Sequence, residues 1–154
     1  MATISASAPI AGEPGTARRP YILEQVVDFA VIAAAVTIGT TDTVQVLKLP
    51  AGTHVSGAGW EVLTAETTNT SAQVELGDGV DPNRFVASAV VSSTGVSASV
   101  ATTSALGHTY AAADTIDLLI SVDDPTDAKV RVWAIVSDIK PVANASDRLT
   151  WTSA

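Results

Sequence analysis

The chain has 154 residues, 16 acidic and 8 basic, a formal net charge of −8, and no cysteine. That length fits one domain, and 47% hydrophobic against 16% charged residues excludes intrinsic disorder for most of it. Without cysteine there are no disulfides, thiolate metal sites or cysteine nucleophiles, and an acidic chain repels phosphate backbones, so no nucleic-acid partner is expected. The longest apolar run, Phe29–Val36, is well short of the ~20 residues that cross a bilayer. No basic stretch followed by an apolar one opens the sequence, so neither a signal peptide nor a membrane partner is expected.

The kind of hydrophobic residue is more informative than the amount. Alanine supplies 26 residues and valine 20, with 19 threonines and 14 serines beside them. Branching at Cβ stiffens Val and Thr and favours extended backbone. An Ala-rich core buries little area per residue, which favours association with further copies or with a partner.

In chain order, residues 1–20 hold Ala, Ser, Thr, Gly and Pro without periodicity and read as an N-terminal arm closed by Arg18 and Arg19. Ile22–Ile32 fits helical spacing and strand alternation alike and is predicted as a strand. Thr43–Leu49 alternates until Leu47 and Leu49 change face, which predicts a bulge. Pro50-Ala51-Gly52-Thr53 is a turn, and Val55–Thr64 follows as a strand, with Gly57 and Gly59 permitting bending or close approach. Ala72, Val74 and Leu76 point one way, Gln73 and Glu75 the other. Phe85–Val91 and Val96–Ala101 flank a turn at 92–95. Ile116, Leu118, Ile120 and Val122 share a face, with Thr115, Asp117 and Ser121 opposite. Asp123–Asp127 turns the chain, and Val130, Val132, Ala134 and Val136 line a face opposite Lys129, Arg131 and Trp133. This last pair of strands is predicted as a hairpin. Residues 140–154 form a C-terminal arm in which Leu149 and Trp151 are isolated apolar groups. Each arm sums to +1, whereas the body has 4 basic and 14 acidic residues, a net of −10.

About eight short strands, with no convincing helix, predict an all-β fold: an antiparallel β-sandwich of jelly-roll type spanning 21–139 between the two arms. Absence of βαβ alternation and of a fixed repeat argues against a doubly wound fold and a solenoid.

Catalytic chemistry finds little footing. His54 and His108 each stand beside a turn and read as loop histidines. No HExxH, GxSxG, P-loop or GxGxxG spacing occurs, and Asp123/Asp124 sit where a turn places acids, so no enzyme, no catalytic residue and no cofactor are expected. The run Leu76-Gly77-Asp78-Gly79-Val80-Asp81-Pro82-Asn83-Arg84-Phe85 offers Asp78, Asp81 and Asn83 as oxygen ligands for a hard cation. It lacks EF-hand spacing, and its simpler reading is a long loop whose Asp and Asn bond local backbone, with Phe85 buried to set up the next strand.

Three stretches (49–65, 72–86 and 110–120) resemble small virion proteins of tailed bacteriophages. The residues are Pro50-Ala51-Gly52-Thr53, then Gly77-Asp78-Gly79 with Asp81 and Phe85, then Ala113-Asp114-Thr115-Ile116. The resemblance covers about half the chain and neither arm. It implies a capsid decoration (cement) β-sandwich, commonly a homotrimer, on the capsid surface of a virion made in the bacterial host cytoplasm. The implied partner is the major capsid protein of the same phage. The arms are then expected to contact the shell or an adjacent copy, with Arg18, Arg19, Tyr21 and Trp151 as interface residues. A tail or fibre-base protein shares such a fold. A carbohydrate-binding module, the other alternative, needs an exposed aromatic patch around Trp60 and Trp133.

Overall fold

A computed structural model of the chain describes residues 20–98 and 107–138, with 96–98 in backbone only. Nine strands and one short helix follow in order: β1 Tyr21–Asp28, α1 Phe29–Ala35, β2 Thr43–Leu49, β3 Thr53–Thr64, β4 Gln73–Gly77, β5 Val86–Val90, β6 Gly95–Ala98, β7 His108–Tyr110, β8 Asp114–Val122 and β9 Lys129–Asp138. Both arms, with Arg18, Arg19 and Trp151, lie outside the described residues, as do residues 99–101 of the strand expected after the turn at 92–95.

The strands form two antiparallel sheets. One runs β1-β9-β3-β6, with β7 pairing the same strand β3 further along; the other runs β2-β8-β4-β5. Counting β6 and β7 as two halves of one edge strand, this is the eight-strand jelly-roll order, in which the first strand lies beside the last. The alternation read from the sequence holds in the core. Val130, Val132, Ala134 and Val136 of β9 face Ile116, Leu118 and Ile120 of β8 and Val74 and Leu76 of β4 across the sandwich, all fully buried. Trp60 on β3 is the largest side chain in that layer.

The structure corrects three of the expected elements. Ile22–Ile32 is not one strand. Its pairing with β9 runs from Tyr21↔Val136 to Asp28↔Lys129, and β9 begins at Lys129, so the partner ends there. The alanine-rich Phe29–Ala35 then coils into α1, because backbone groups without a partner strand satisfy one another locally. Phe29 anchors the helix: its side chain is fully buried and its N–H donates to the Ala128 carbonyl at 2.9 Å.

β8 and β9 are not a hairpin. β8 pairs β2 and β4 while β9 pairs β1 and β3, so residues 123–128 carry the chain from one sheet to the other. Two alternating strands around a turn look the same in sequence whether the turn closes a ladder or arches between layers. Asp123 adopts φ +45°, and Glu66 receives the backbone N–H groups of the arch. The third correction concerns the histidines, which stand on strands β3 and β7, with Val55↔His108 and His54↔Thr109 in register.

Two local expectations hold. The β2 ladder shifts register between Gln45 and Leu47, as the change of face predicted. Pro50–Thr53 is a tight turn in which Gly52 takes φ +85° and the Thr53 N–H donates to the Pro50 carbonyl at 3.2 Å. Among the described residues no helix is long and apolar enough to cross a membrane.

Candidate functional site

The Gly77–Phe85 loop closes on itself. Phe85 N–H donates to the Leu76 carbonyl at 2.9 Å, and Asp78 N–H to the Asp81 carbonyl at 3.0 Å. The loop folds so tightly over Gly77 that a Cβ there would stand 2.0 Å from the Asp81 carbonyl oxygen. Asp78 lies at the centre. Its Oδ1 accepts the N–H of Val80 at 3.0 Å and of Asp81 at 2.8 Å, and its Oδ2 accepts Arg84 Nε at 2.5 Å and the Tyr110 hydroxyl at 2.9 Å. Burial pushes the Asp78 carboxyl up, but Arg84, the backbone N–H of Asp81 and the Tyr110 hydroxyl outweigh it and hold it below the usual carboxylate value. Burial and then the Asp78 carboxylate push the Tyr110 phenol up.

In this geometry Asp78 is engaged by the loop itself. Both its oxygens are committed to N–H and O–H donors, and the guanidinium of Arg84 already supplies the compensating charge. Asn83 is exposed and Asp81 contributes its backbone carbonyl. Among the described residues no three His, Asp or Glu side chains gather as a metal-binding group. Phe85 is buried and β5 starts at the next residue, as the loop reading expected.

The histidines do not converge on a carboxylate. His54 Nδ1 lies 2.9 Å from the Thr109 hydroxyl, and its ring occupies the space beside Gly107. His108 Nδ1 lies 3.3 Å from Arg84 Nη1 and its ring meets Tyr110 edge-on at 4.6 Å, so it is linked to Asp78 through Arg84 and Tyr110 rather than directly. A depression of about 520 Å³ lined by Lys48, Leu49, Pro50, Asp114 and neighbours contains neither histidine.

The outward face of the β1-β9-β3 sheet is different in character. Register places Ile22 beside Ile135 and Gly57, and Glu24 beside Trp133 and Gly59. Ile22 is 65% exposed, and Val26 and Ile135 are exposed with it. Among the described residues nothing lies within 4 Å of where a Cβ on Gly57 would stand, at the end of this apolar row. Arg131 pairs with Glu61, and Lys129 with Asp28 at 2.8 Å, at the far end of the same face. Tyr21, the one expected interface residue that is described, opens β1 opposite Val136 and is also exposed. The sequence hid this strip, because alternation sets Ile135 on the face of Lys129, Arg131 and Trp133, and only strand pairing brings the distant Ile22 beside it. Of the two tryptophans named for a sugar platform, Trp60 is buried in the core and Trp133 is half-buried on this outer face.

Fold and surface together define a jelly-roll domain with an apolar strip across one sheet. No family model matches the sequence, and no curated protein matches it. Solved structures do. A chain in the capsid of Ralstonia phage GP4 superposes with a TM-score of 0.60 at 12% identity, over 90% of this chain and 90% of that one. A chain of the cyanophage Pam1 capsid asymmetric unit gives 0.54 at 19% identity, over 88% and 97%. A chain in the acidic stable capsid structure of Helicobacter pylori bacteriophage KHP30 gives 0.53 at 12%, over 77% and 86%. These likenesses concern the fold.

Proposed function

We propose that this chain is a structural protein of a phage virion: a decoration protein that seats on the outside of the capsid shell and bridges neighbouring subunits. The observation that carries the reading is the shared jelly roll, which extends over 77–90% of this chain in three capsid structures. The exposed Ile22–Ile135 strip supports it, since apolar surface open to water on a free chain becomes a gain when a partner covers it. The mechanism is adhesion. Area buried between subunits must be re-exposed before a subunit leaves or the shell rearranges, so each bound copy raises that barrier.

In this reading the partner is the major capsid protein of the same phage, and copies of this chain associate as a homotrimer. Residues 1–20 and 140–154 act as arms that contact the shell or the next copy. Arg18 and Arg19 supply ionic contacts to an acidic surface, and Tyr21 and Trp151 supply apolar anchors.

Purified heads lacking the protein, titrated with the intact chain and with a chain starting at residue 20, test it. Saturation of the heads by the intact chain at a copy number comparable to the shell subunit, with lower occupancy by the shortened chain, is the expected result. Equal occupancy by both removes the arm from the mechanism. A handful of copies per particle, located at the tail, replaces the decoration role with a tail or fibre-base role. Light scattering of the free chain decides the trimer.

A further inference from the structure

Asp117 is a buried acid with no cationic partner among the described residues. Alternation puts it on the outward side of β8, yet it is only 5% exposed, because the loop after Gly77 folds over that side of the sheet. Its strand neighbours are Gln45 on β2 and Gly77 on β4. A cavity of about 170 Å³ lies there, lined by Asp117, Asp78, Thr43, Leu119, Gly79 and Pro82. Asp117 Oδ1 is buried without a hydrogen-bond partner.

Among the described residues, the charges around it do not compensate an ionised Asp117. On its own strand stands Asp114. From the loop come Asp78, ion-paired with Arg84, and Asp81; the Tyr110 hydroxyl donates to the same Asp78. From β4 comes Glu75, opposite Leu119, and next to Thr43 stands Asp42, whose carboxylate accepts the Gly39 N–H. The cation on β2 is Lys48, opposite Thr115 and two positions along the ladder from Asp117. An isolated carboxylate out of water is costly, and protonation removes that cost.

We propose that residues 78–83 form an acid-held latch over β8, seated while Asp117 is a neutral carboxylic acid and loosened when it ionises. Burial pushes the Asp117 carboxyl up, the Thr115 hydroxyl opposes this, and the charges of Asp114 and Asp78 add to the rise. The folded chain therefore binds this proton at pH values where the unfolded chain has lost it. Stability from this site is complete below the ordinary carboxyl value of 3.8 and falls as pH rises through the raised one. The latch tip carries Val80, which is 84% exposed, so loosening displaces an apolar group on the surface.

The test compares the intact chain with Asp117→Asn, which keeps the shape of a neutral acid. Melting is followed from about pH 5 to about pH 8. The variant is expected to melt higher at the alkaline end, by about 2–4 °C, with the gap closing towards the acid end. Because an amide can itself fit poorly, the carbonyl carbon of Asp117 is also titrated by NMR in the unsubstituted chain. A midpoint above the usual carboxylate range, with proteolytic cleavage within 78–83 rising over the same interval, supports the latch. A midpoint at or below the usual range overturns it. So does millimolar calcium that raises the melting temperature of the intact chain but not of the variant, because the compensating charge is then a metal ion.

Discussion

A single glutamate holds two sheet-crossing segments together. Glu66, between β3 and β4, is 1% exposed and accepts six hydrogen bonds: from the N–H groups of Thr68, Asn69, Thr126, Asp127 and Ala128 and from the Thr126 hydroxyl. Burial pushes its carboxyl up, but the backbone N–H groups of Asp127 and Asn69 lead the interactions that hold it at about 2. The folded value lies below the unfolded one, so the stabilisation is fully present above pH 4.5 and is lost as pH falls towards 2. That loss is on the order of 3 kcal/mol, read as a falling urea midpoint in acid. Glu66→Gln puts an NH₂ donor against N–H donors and is expected to cost about 2–4 kcal/mol at neutral pH. Arg84→Ala leaves Asp78 charged and buried, at an expected cost of about 3 kcal/mol by urea unfolding. Nothing in the sequence distinguished Glu66 from a surface acid. Its neighbours Ala65, Thr67 and Thr68 carry no pattern, and four of its six hydrogen bonds come from Thr126, Asp127 and Ala128, sixty or more residues away. Asp78 was legible as the centre of a loop, but Tyr110 as its donor was not.

Among the elements, the Gly77 loop and α1 depend on contacts that differ in kind. At Gly77 the obstacle to a side chain is backbone, which cannot rotate aside, so Gly77→Ala must displace the loop. A loss of about 1–3 kcal/mol, accompanied by weakened Asp78–Arg84 pairing, is expected in thermal melts. In α1 the contribution comes from one buried ring, and Phe29→Ala is expected to cost about 3–5 kcal/mol, with Phe29–Ala35 losing amide protection first. The periodicity of β4, β8 and β9 was legible because one face of each meets the core. Ile22–Ile32 was ambiguous because its change from strand to helix is set by where β9 begins. The β8–β9 hairpin failed for a related reason: a turn specifies that the chain reverses, not which sheet it enters.

On the scale of the molecule, the buried apolar groups and the exposed apolar strip lie on opposite sides of the same sheet. Val130, Val132, Ala134 and Val136 on the inward face of β9 are fully buried, and the outward face of the sheet carries the exposed Ile22 of β1 and Ile135 of β9. The paired change Ile22→Asp with Ile135→Asp is therefore expected to shift unfolding by less than about 1 kcal/mol. On the proposed reading it abolishes binding to heads; unchanged binding moves the contact surface elsewhere. Composition and alternation alone determined that this chain makes layered sheets with a small-residue core, because side-chain period and β-branching act over a few residues. Only the tertiary structure decided the strand order, the crossing at 123–128, the pairing of Asp78 with Arg84 and Tyr110, and the burial of Asp117. Each of these rests on groups far apart in the chain, and local pattern does not record which distant segment will meet another.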